Sequence, residues 1–237
     1  MIYDSCMKEH ALWPGGPRYA GEPFGLDALA LAAFAAPLAR GRCCDLGCGS
    51  GILTLLLSYS APEAELIGIE LRENAAEECR RNLARNGLAA RCRVVTGNWM
   101  AVGPEAGSVE LAVCNPPYFP AGGAVSPDPD RAGIRTETVP LRDLCARAAE
   151  LLRHGGNFCL VHRTERLPEV LRELAGAGLE PKELRMIASR AEAAPELFLC
   201  RAKKGAHPGL RVSPPLLQFG PDGRESEEYR TITHWEA

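Results

Sequence analysis

Short apolar runs alternate along this chain with longer stretches whose apolar positions recur every three or four residues, and from Gly41 onward the alternation is regular. The run "RCCDLG" (42–47) predicts a strand, and "GILTLLLSYS" (51–60) predicts a helix opening on a glycine turn. A second strand is predicted at "AELIGIEL" (64–71), then a helix over "ENAAEECRRNLARNG" (73–87) that ends at Gly87. Third and fourth strands are predicted at "RCRVVTG" (91–97) and "VELAVCN" (109–115). A loop rich in Pro, Gly and Asp follows, then a helix over "LRDLCARAAELLRHGG" (141–156) and a fifth strand, "NFCLVHR" (157–163). Beyond it come a helix at 167–178 and three strand-like segments, "LRMIASR", "ELFLCRAKK" and "LRVSPPLLQF". "GPDG" (220–223) is a turn signal, and "ESEEYRTITH" (225–234) predicts a short helix. Apolar strands separated by helices of this length predict an α/β fold with a parallel sheet covered on both faces.

Ahead of Gly41, "LDALALAAFAAPLA" (26–39) predicts a buried helix with Asp27 near its start. It contains Pro37 and falls short of the roughly 20 residues a bilayer span needs, so no membrane association is expected. The opening "MIYDSCMKEH" carries acids and no apolar core, so it does not read as a signal peptide, and the expected location is the cytoplasm. Without a break in composition, the expected layout is an extension and helix at 1–40, packing on a main domain at 41–237.

Composition narrows the function. A 46% hydrophobic content supports a sizeable core, and a net charge of −3 with a pI near 6.0 argues against a generally basic nucleic-acid coat. A nucleic-acid partner therefore needs a local basic patch. The ten cysteines are scattered, several lie inside apolar runs, and none forms a Cys-x-x-Cys pair. They read as reduced core thiols, with no metal site expected.

The candidate chemistry collects at strand ends. After the first strand of the main domain comes "CDLGCGSG", with Asp45, then Gly47, Cys48, Gly49 and Gly51. Glycines at a strand-to-helix turn let the backbone approach a ligand closely. The spacing is not that of the dinucleotide fingerprint, because the third glycine falls one place early. Glu70 closes the next strand, followed by Leu71; an acid at this place is suited to accept hydrogen bonds from a ribose diol. Asn98 and Trp99 follow the third strand, offering an amide for an adenine edge and a ring for stacking. After the fourth strand stand Asn115, Pro116, Pro117 and Tyr118, then Phe119. In a parallel sheet all of these lie on one rim, at the carboxyl ends of the strands, where such folds bind ligands.

The hook at Asn115 has its own logic. Each proline fixes its own φ and holds the residue before it extended. An amide side chain is thereby held at the strand end with aromatic rings beyond it, an arrangement suited to a small planar polar group.

Asp45 to Gly51, Glu70 and "NPPY" together resemble the class I S-adenosylmethionine-dependent methyltransferases, and the tetrapeptide is similar to that of enzymes methylating exocyclic or amide nitrogens. "RYAGEPFGLDALALAAF", "NPPYF", "IRTET", "FCLVHRTERL" and "LRVSPPLLQFG" extend the resemblance to the bacterial tRNA1(Val) adenine-37 N6-methyltransferase family over nearly the whole chain. There are two departures: Gly97-Asn98 stands where that family usually has an Asp, and Thr136 stands where it often has His. The resemblance implies a Rossmann-like fold with a mostly parallel seven-stranded sheet, S-adenosyl-L-methionine as cofactor, S-adenosyl-L-homocysteine as product and tRNA as substrate. On this reading Asp45, Gly47, Cys48, Gly49, Gly51, Glu70, Leu71, Asn98, Trp99 and Asn115 contact the cofactor, and Asn115, Pro116, Pro117 and Tyr118 form the catalytic hook. Tyr118 and Phe119 stack on the base, the loop carrying Arg135 closes over it, and Arg163 and Arg166 after the fifth strand meet phosphates. No stable protein partner is expected.

Other readings stay open. Protein glutamine N5-methyltransferases carry the same tetrapeptide, usually with a separate helical region ahead, and only about 40 residues precede the glycine loop here. DNA adenine methylation would need a recognition domain that the sequence does not announce. A binding module without catalysis leaves the intact hook unexplained, as does a dinucleotide oxidoreductase.

Overall fold

The computed structural model describes residues 9–116 and 139–234. A small hairpin of β1 (His10–Ala11) and β2 (Arg18–Tyr19) leads into α1 (Leu26–Ala35) and a 3-10 turn at Ala36–Leu38. Then follow β3 (Arg42–Leu46), α2 (Ile52–Ser60), β4 (Glu65–Glu70), α3 (Glu73–Arg85), β5 (Cys92–Thr96) and β6 (Val109–Cys114). After the undescribed stretch come α4 (Leu141–Leu151), β7 (Leu152–Arg163), a 3-10 turn at Thr164–Arg166 and α5 (Leu167–Gly176). The described chain closes with β8 (Leu179–Ala188), β9 (Leu197–Lys204), β10 (Arg211–Leu217) and α6 (Glu227–His234).

The main sheet runs β10-β8-β9-β7-β6-β3-β4-β5, and only β9 is antiparallel to its neighbours. The predicted α/β class with a mostly parallel sheet is borne out. The sheet has eight strands rather than seven, because the tail segment Arg211–Leu217 pairs in parallel with β8. Pro214 and Pro215 fall at a break in that register, between Ser213 and Leu216.

Alternation along the strands sorts side chains into two cores. Cys43, Leu111, Val113, Cys159 and Val161 face α1, α2 and α3, together with Leu31, Leu55, Leu57 and Leu83. Cys44, Ala112, Phe158 and Leu160 face α4 and α5, with Leu144, Ala148, Val170 and Leu174. The two adjacent cysteines of β3 thus serve opposite faces. The nine described cysteines are all buried free thiols. In α3 the buried positions Ala75, Ala76, Cys79, Asn82 and Leu83 repeat at helical spacing, while Glu73, Glu77 and Arg81 point to water. Helix α1 lies against α2, β7, β9 and α6, and Ile232 of α6 joins the same core.

One predicted boundary moves. The helix expected over 141–156 stops at Leu151, and Leu152 is already extended and opposite Val109 in the sheet. The pairing then jumps to Leu111 opposite Asn157, so the intervening residues bulge out, with Gly155 at φ +76°. A Cβ on Gly156 would come within 3.1 Å of two backbone carbonyls, those of Arg153 and Val109. The glycine pair permits this bulge and disfavours continued helix.

Candidate functional site

Strands β3, β4, β5 and β6 are parallel neighbours, so the segments after them share one rim. The loop after β3 folds back onto β4, where the N–H groups of Gly47 and Cys48 both donate to the Ile69 carbonyl, at 2.9 and 3.1 Å. Gly47, Gly49 and Gly51 all have positive φ, which other residues adopt at a cost. Above Gly47 there is open space where a side chain would begin, so the loop presents bare backbone to the rim.

Glu70 is buried at the end of β4 and turned toward this loop. Its Oε2 accepts the Gly49 N–H at 2.9 Å, and its Oε1 accepts the Arg72 N–H at 2.9 Å and Nε at 3.1 Å. The guanidinium of Arg72 also donates to both oxygens of Glu22, which raises the arginine's pKa further. Next to this charged group Leu71 is 58% exposed, an apolar side chain with no core to fill. A loop of bare backbone, a buried acid and an exposed apolar side chain fit the backbone, ribose and base of an adenosine-containing ligand.

Asp45 sits beneath this surface. It is buried, and Thr54 Oγ1 of α2 donates to its Oδ2 at 2.7 Å. Burial pushes its carboxyl up to about 7, helped by the charge of Glu70. It therefore fastens the start of α2 to the end of β3. Cys48 contributes its backbone to the loop, while its thiol turns inward to 4.0 Å from that of Cys79. The Cys79 contact, together with burial, holds the Cys48 thiol well above its usual range.

After β5, Asn98 is exposed and its Oδ1 accepts the Met100 N–H at 2.9 Å, so part of the amide serves its own turn. The Trp99 ring packs against the core on the α4 side, and Arg147 of α4 donates to the carbonyls of Trp99 (2.7 Å) and Val102 (3.1 Å). After β6, Asn115 is half-buried and Pro116 buried. The Cys114 thiol donates to the Leu46 carbonyl at 3.0 Å, pinning the end of β6 to the end of β3. Pro117, Tyr118, Phe119 and Arg135 lie outside the described residues. Across the rim, Arg163 pairs with Glu165 at 3.0 Å, and Arg166 takes both oxygens of Glu169. The structure thus brings Gly47, Gly49, Glu70 and Leu71 together. It turns the side chains of Cys48 and Asp45, and the ring of Trp99, to structural work.

Glu22, Ser50, Asn82 and Arg147 also contribute, in roles no residue-level signal in the sequence assigned to them. Glu22 and Ser50 meet through the Glu22 N–H and Ser50 Oγ at 3.2 Å, and the Tyr19 hydroxyl donates to the Glu22 carbonyl at 2.8 Å. Asn82, fully buried in α3, accepts the Ala20 N–H at 3.0 Å and donates to the carbonyls of Ala20 (2.7 Å) and Ser50 (2.8 Å). It ties the strap ahead of α1 to the glycine loop. An asparagine on the apolar stripe of α3 was the one signal available for it. Arg147, a buried arginine on α4, is the fourth.

Among the described residues no helix is long and apolar enough to cross a membrane, and no group of three or more His, Cys, Asp or Glu is arranged to hold a metal ion.

Comparison with known proteins agrees with this fold. The methyltransferase small domain family model matches residues 27–178. A tRNA1(Val) (adenine(37)-N6)-methyltransferase of Cronobacter sakazakii is 32% identical over 214 residues, covering 88% of this chain and 85% of the relative. The protein of the same name from Porphyromonas gingivalis is 34% identical over 155 residues, which is 62% of this chain and 60% of that relative's length. Among solved structures, a predicted O-methyltransferase from Agrobacterium tumefaciens superposes with a TM-score of 0.72 at 21% identity, covering 89% of this chain and 97% of that one. That likeness concerns the fold.

Proposed function

Since this chain belongs to the methyltransferase small domain family, we propose that it transfers the methyl group of S-adenosyl-L-methionine to the exocyclic N6 amine of an adenine in tRNA. The observation that carries the reading is the shared rim. Bare glycine backbone, a buried Glu70 and the Asn115-Pro116 pair stand at the ends of adjacent parallel strands. The substrate follows the curated relatives, which are named for adenine N6 of a tRNA.

When bound, the cofactor's sulfonium supplies an electrophilic methyl group. The protein's task is alignment and exclusion of water. Glu70 would accept from the ribose, the glycine backbone would admit the cofactor close to the sheet, and Leu71 would cover one side of the adenine. A purine's exocyclic amine is a weak nucleophile because its lone pair is delocalised into the ring. Asn115 Oδ1 and the Pro116 carbonyl are two acceptors for its two N–H groups. Holding both favours a pyramidal nitrogen whose lone pair points at the methyl. The fixed φ of the prolines keeps these acceptors in place before substrate arrives. Tyr118 and Phe119 supply stacking faces, each worth about 1–3 kcal/mol for a base. The target adenine has to leave its own stack to reach such a hook, as single-stranded loops allow.

Arg163, with its side chain 39% exposed, and Arg166 are the candidate phosphate contacts, with Arg135 as a further substrate contact. The expected location is the cytoplasm, where tRNA is modified. In the proposed layout of an extension at 1–40 and a methyltransferase domain at 41–237, the described part of the extension (9–40) supplies a strap and a helix.

The test uses purified protein, radiolabelled S-adenosylmethionine and bacterial tRNA lacking the native modification, digested afterwards to nucleosides. Label is expected in N6-methyladenosine. Label in another nucleoside or in a protein fraction, or none in RNA despite cofactor binding, overturns the substrate assignment.

A further inference from the structure

We propose that Arg72 is a positioning residue that orients Glu70 toward a vicinal diol, and that Glu22 on the N-terminal strap holds Arg72 to that task. The inference rests on the reading of Glu70 as the ribose acceptor. A carboxylate offers about four acceptor directions on its two oxygens. Three are used: the Gly49 N–H on Oε2, and the Arg72 N–H and Nε on Oε1. These donors come from two separate segments, so they fix both the place and the plane of the carboxylate. The acceptor direction left open is on Oε2, enough to take one hydroxyl of the diol.

Arg72 has to be ordered before it can order anything else. Its side chain is 38% exposed, and a half-exposed arginine gains little from one contact to an acid. Here Glu22 grips the far end of the guanidinium through both oxygens. The Glu22 backbone is itself fixed, its N–H donating to Ser50 Oγ and its carbonyl accepting from the Tyr19 hydroxyl, and Asn82 clamps Ala20 two residues earlier. The contacts form a closed ring: Ser50 to Glu22, Glu22 to Arg72, Arg72 to Glu70, and Glu70 to Gly49, the neighbour of Ser50. One guanidinium is shared by two carboxylates, so the ring also leaves a negative surplus beside the place where a cationic cofactor is to sit.

The Glu22 carboxylate also stands 3.5 Å from where a side chain on Gly49 would begin. The strap therefore lies against the loop, and its acid participates in the site although 50 residues separate it from Arg72.

The test is equilibrium binding of S-adenosylhomocysteine and its 2′,3′-dideoxy analogue to the full chain and to Arg72→Met, Glu22→Gln and the double variant. Methionine keeps the Arg72 backbone N–H and much of the stem. Arg72→Met is expected to weaken S-adenosylhomocysteine about tenfold, the loss of one charged hydrogen-bond arrangement, and the dideoxy analogue by less than about twofold. Glu22→Gln is expected to weaken the natural ligand by a smaller factor and to add nothing once Arg72 is gone. Equal losses for both ligands would mean a general structural role and overturn the proposal. Unchanged or tighter binding in Arg72→Met would also overturn it, making Arg72 a competitor for Glu70. Failure of the unaltered protein to bind S-adenosylhomocysteine is a different result, sinking the cofactor reading and this inference with it. Thermal melts of the ligand-free variants establish that each is folded.

Discussion

Replacing Gly51 with alanine tests how tightly the glycine loop is set against α3. Gly51 has φ +90° and precedes the first residue of α2. A left-handed conformation costs a residue with a Cβ about 1–2 kcal/mol. The new methyl would also begin 2.4 Å from Cys79 Sγ, 3.2 Å from its Cβ and 3.4 Å from its Cα. Cys79 is fully buried in a packed core, so its sulfur can yield only by displacing neighbours, and overpacking of this kind costs about 1–3 kcal/mol. Gly51→Ala should therefore lose about 2–5 kcal/mol, a large part of the roughly 5–15 kcal/mol that holds a typical domain folded. Cys79→Ala removes the sulfur but leaves the backbone strain, so in that background the glycine substitution should cost only about 1–2 kcal/mol. Urea denaturation of the four proteins of this cycle, with slopes compared to confirm a common unfolding reaction, measures the coupling. Equal losses in the two backgrounds would refute the argument, because the clash would then play no part.

Other expectations follow from the same geometry. Asp45 has its pKa raised by burial from 3.8 to about 7, so between these values the folded chain keeps a proton that the unfolded chain has released. Its contribution to stability is thus highest at acid pH and falls as pH rises through that window; Asp45→Asn should flatten this fall in denaturation curves taken across it. Asn82→Ala removes a buried side chain with three bonds to the strap and loop, and should cost about 3 kcal/mol at about 1 kcal/mol each, read by denaturation. Leu71→Asp should weaken binding of S-adenosylhomocysteine without lowering the melting temperature, since the side chain is mostly in water. Asn115→Ala should retain cofactor binding and slow methyl transfer at least about tenfold, a loss of 1.4 kcal/mol or more of transition-state stabilisation; unchanged turnover would remove Asn115 from its role.

What the sequence reveals is what depends on near neighbours along the chain. Glycines that need positive φ, an acid closing an apolar strand and prolines stiffening a strand exit are local chemistry, and Gly47 to Gly51, Glu70 and Asn115 were legible for that reason. Direction is less so: Cys48 and Trp99 stand beside the rim in sequence, yet the structure turns the thiol into one core and packs the half-buried ring against the other. Contacts across long separations have no local signature. Nothing near Glu22 announces Arg72, and nothing near Ala20 announces Asn82, 62 residues on. Similarly, Arg211–Leu217 was readable as strand-like, but its partner was not, so the eighth place in the sheet came only with the fold.

That eighth strand bears on how the protein survives its own synthesis. A nascent chain that has made β8 and β9 but not Arg211–Leu217 leaves the outer edge of β8 unpaired, ready to accept a strand from another molecule. β10 ends that exposure and does not pass it outward, since Pro214 and Pro215 bring no N–H groups and interrupt the regular ladder. β10 thus works as a selvedge, closing the fabric where it would otherwise fray into aggregates. Losing it should cost yield in the cell before it costs methyl transfer.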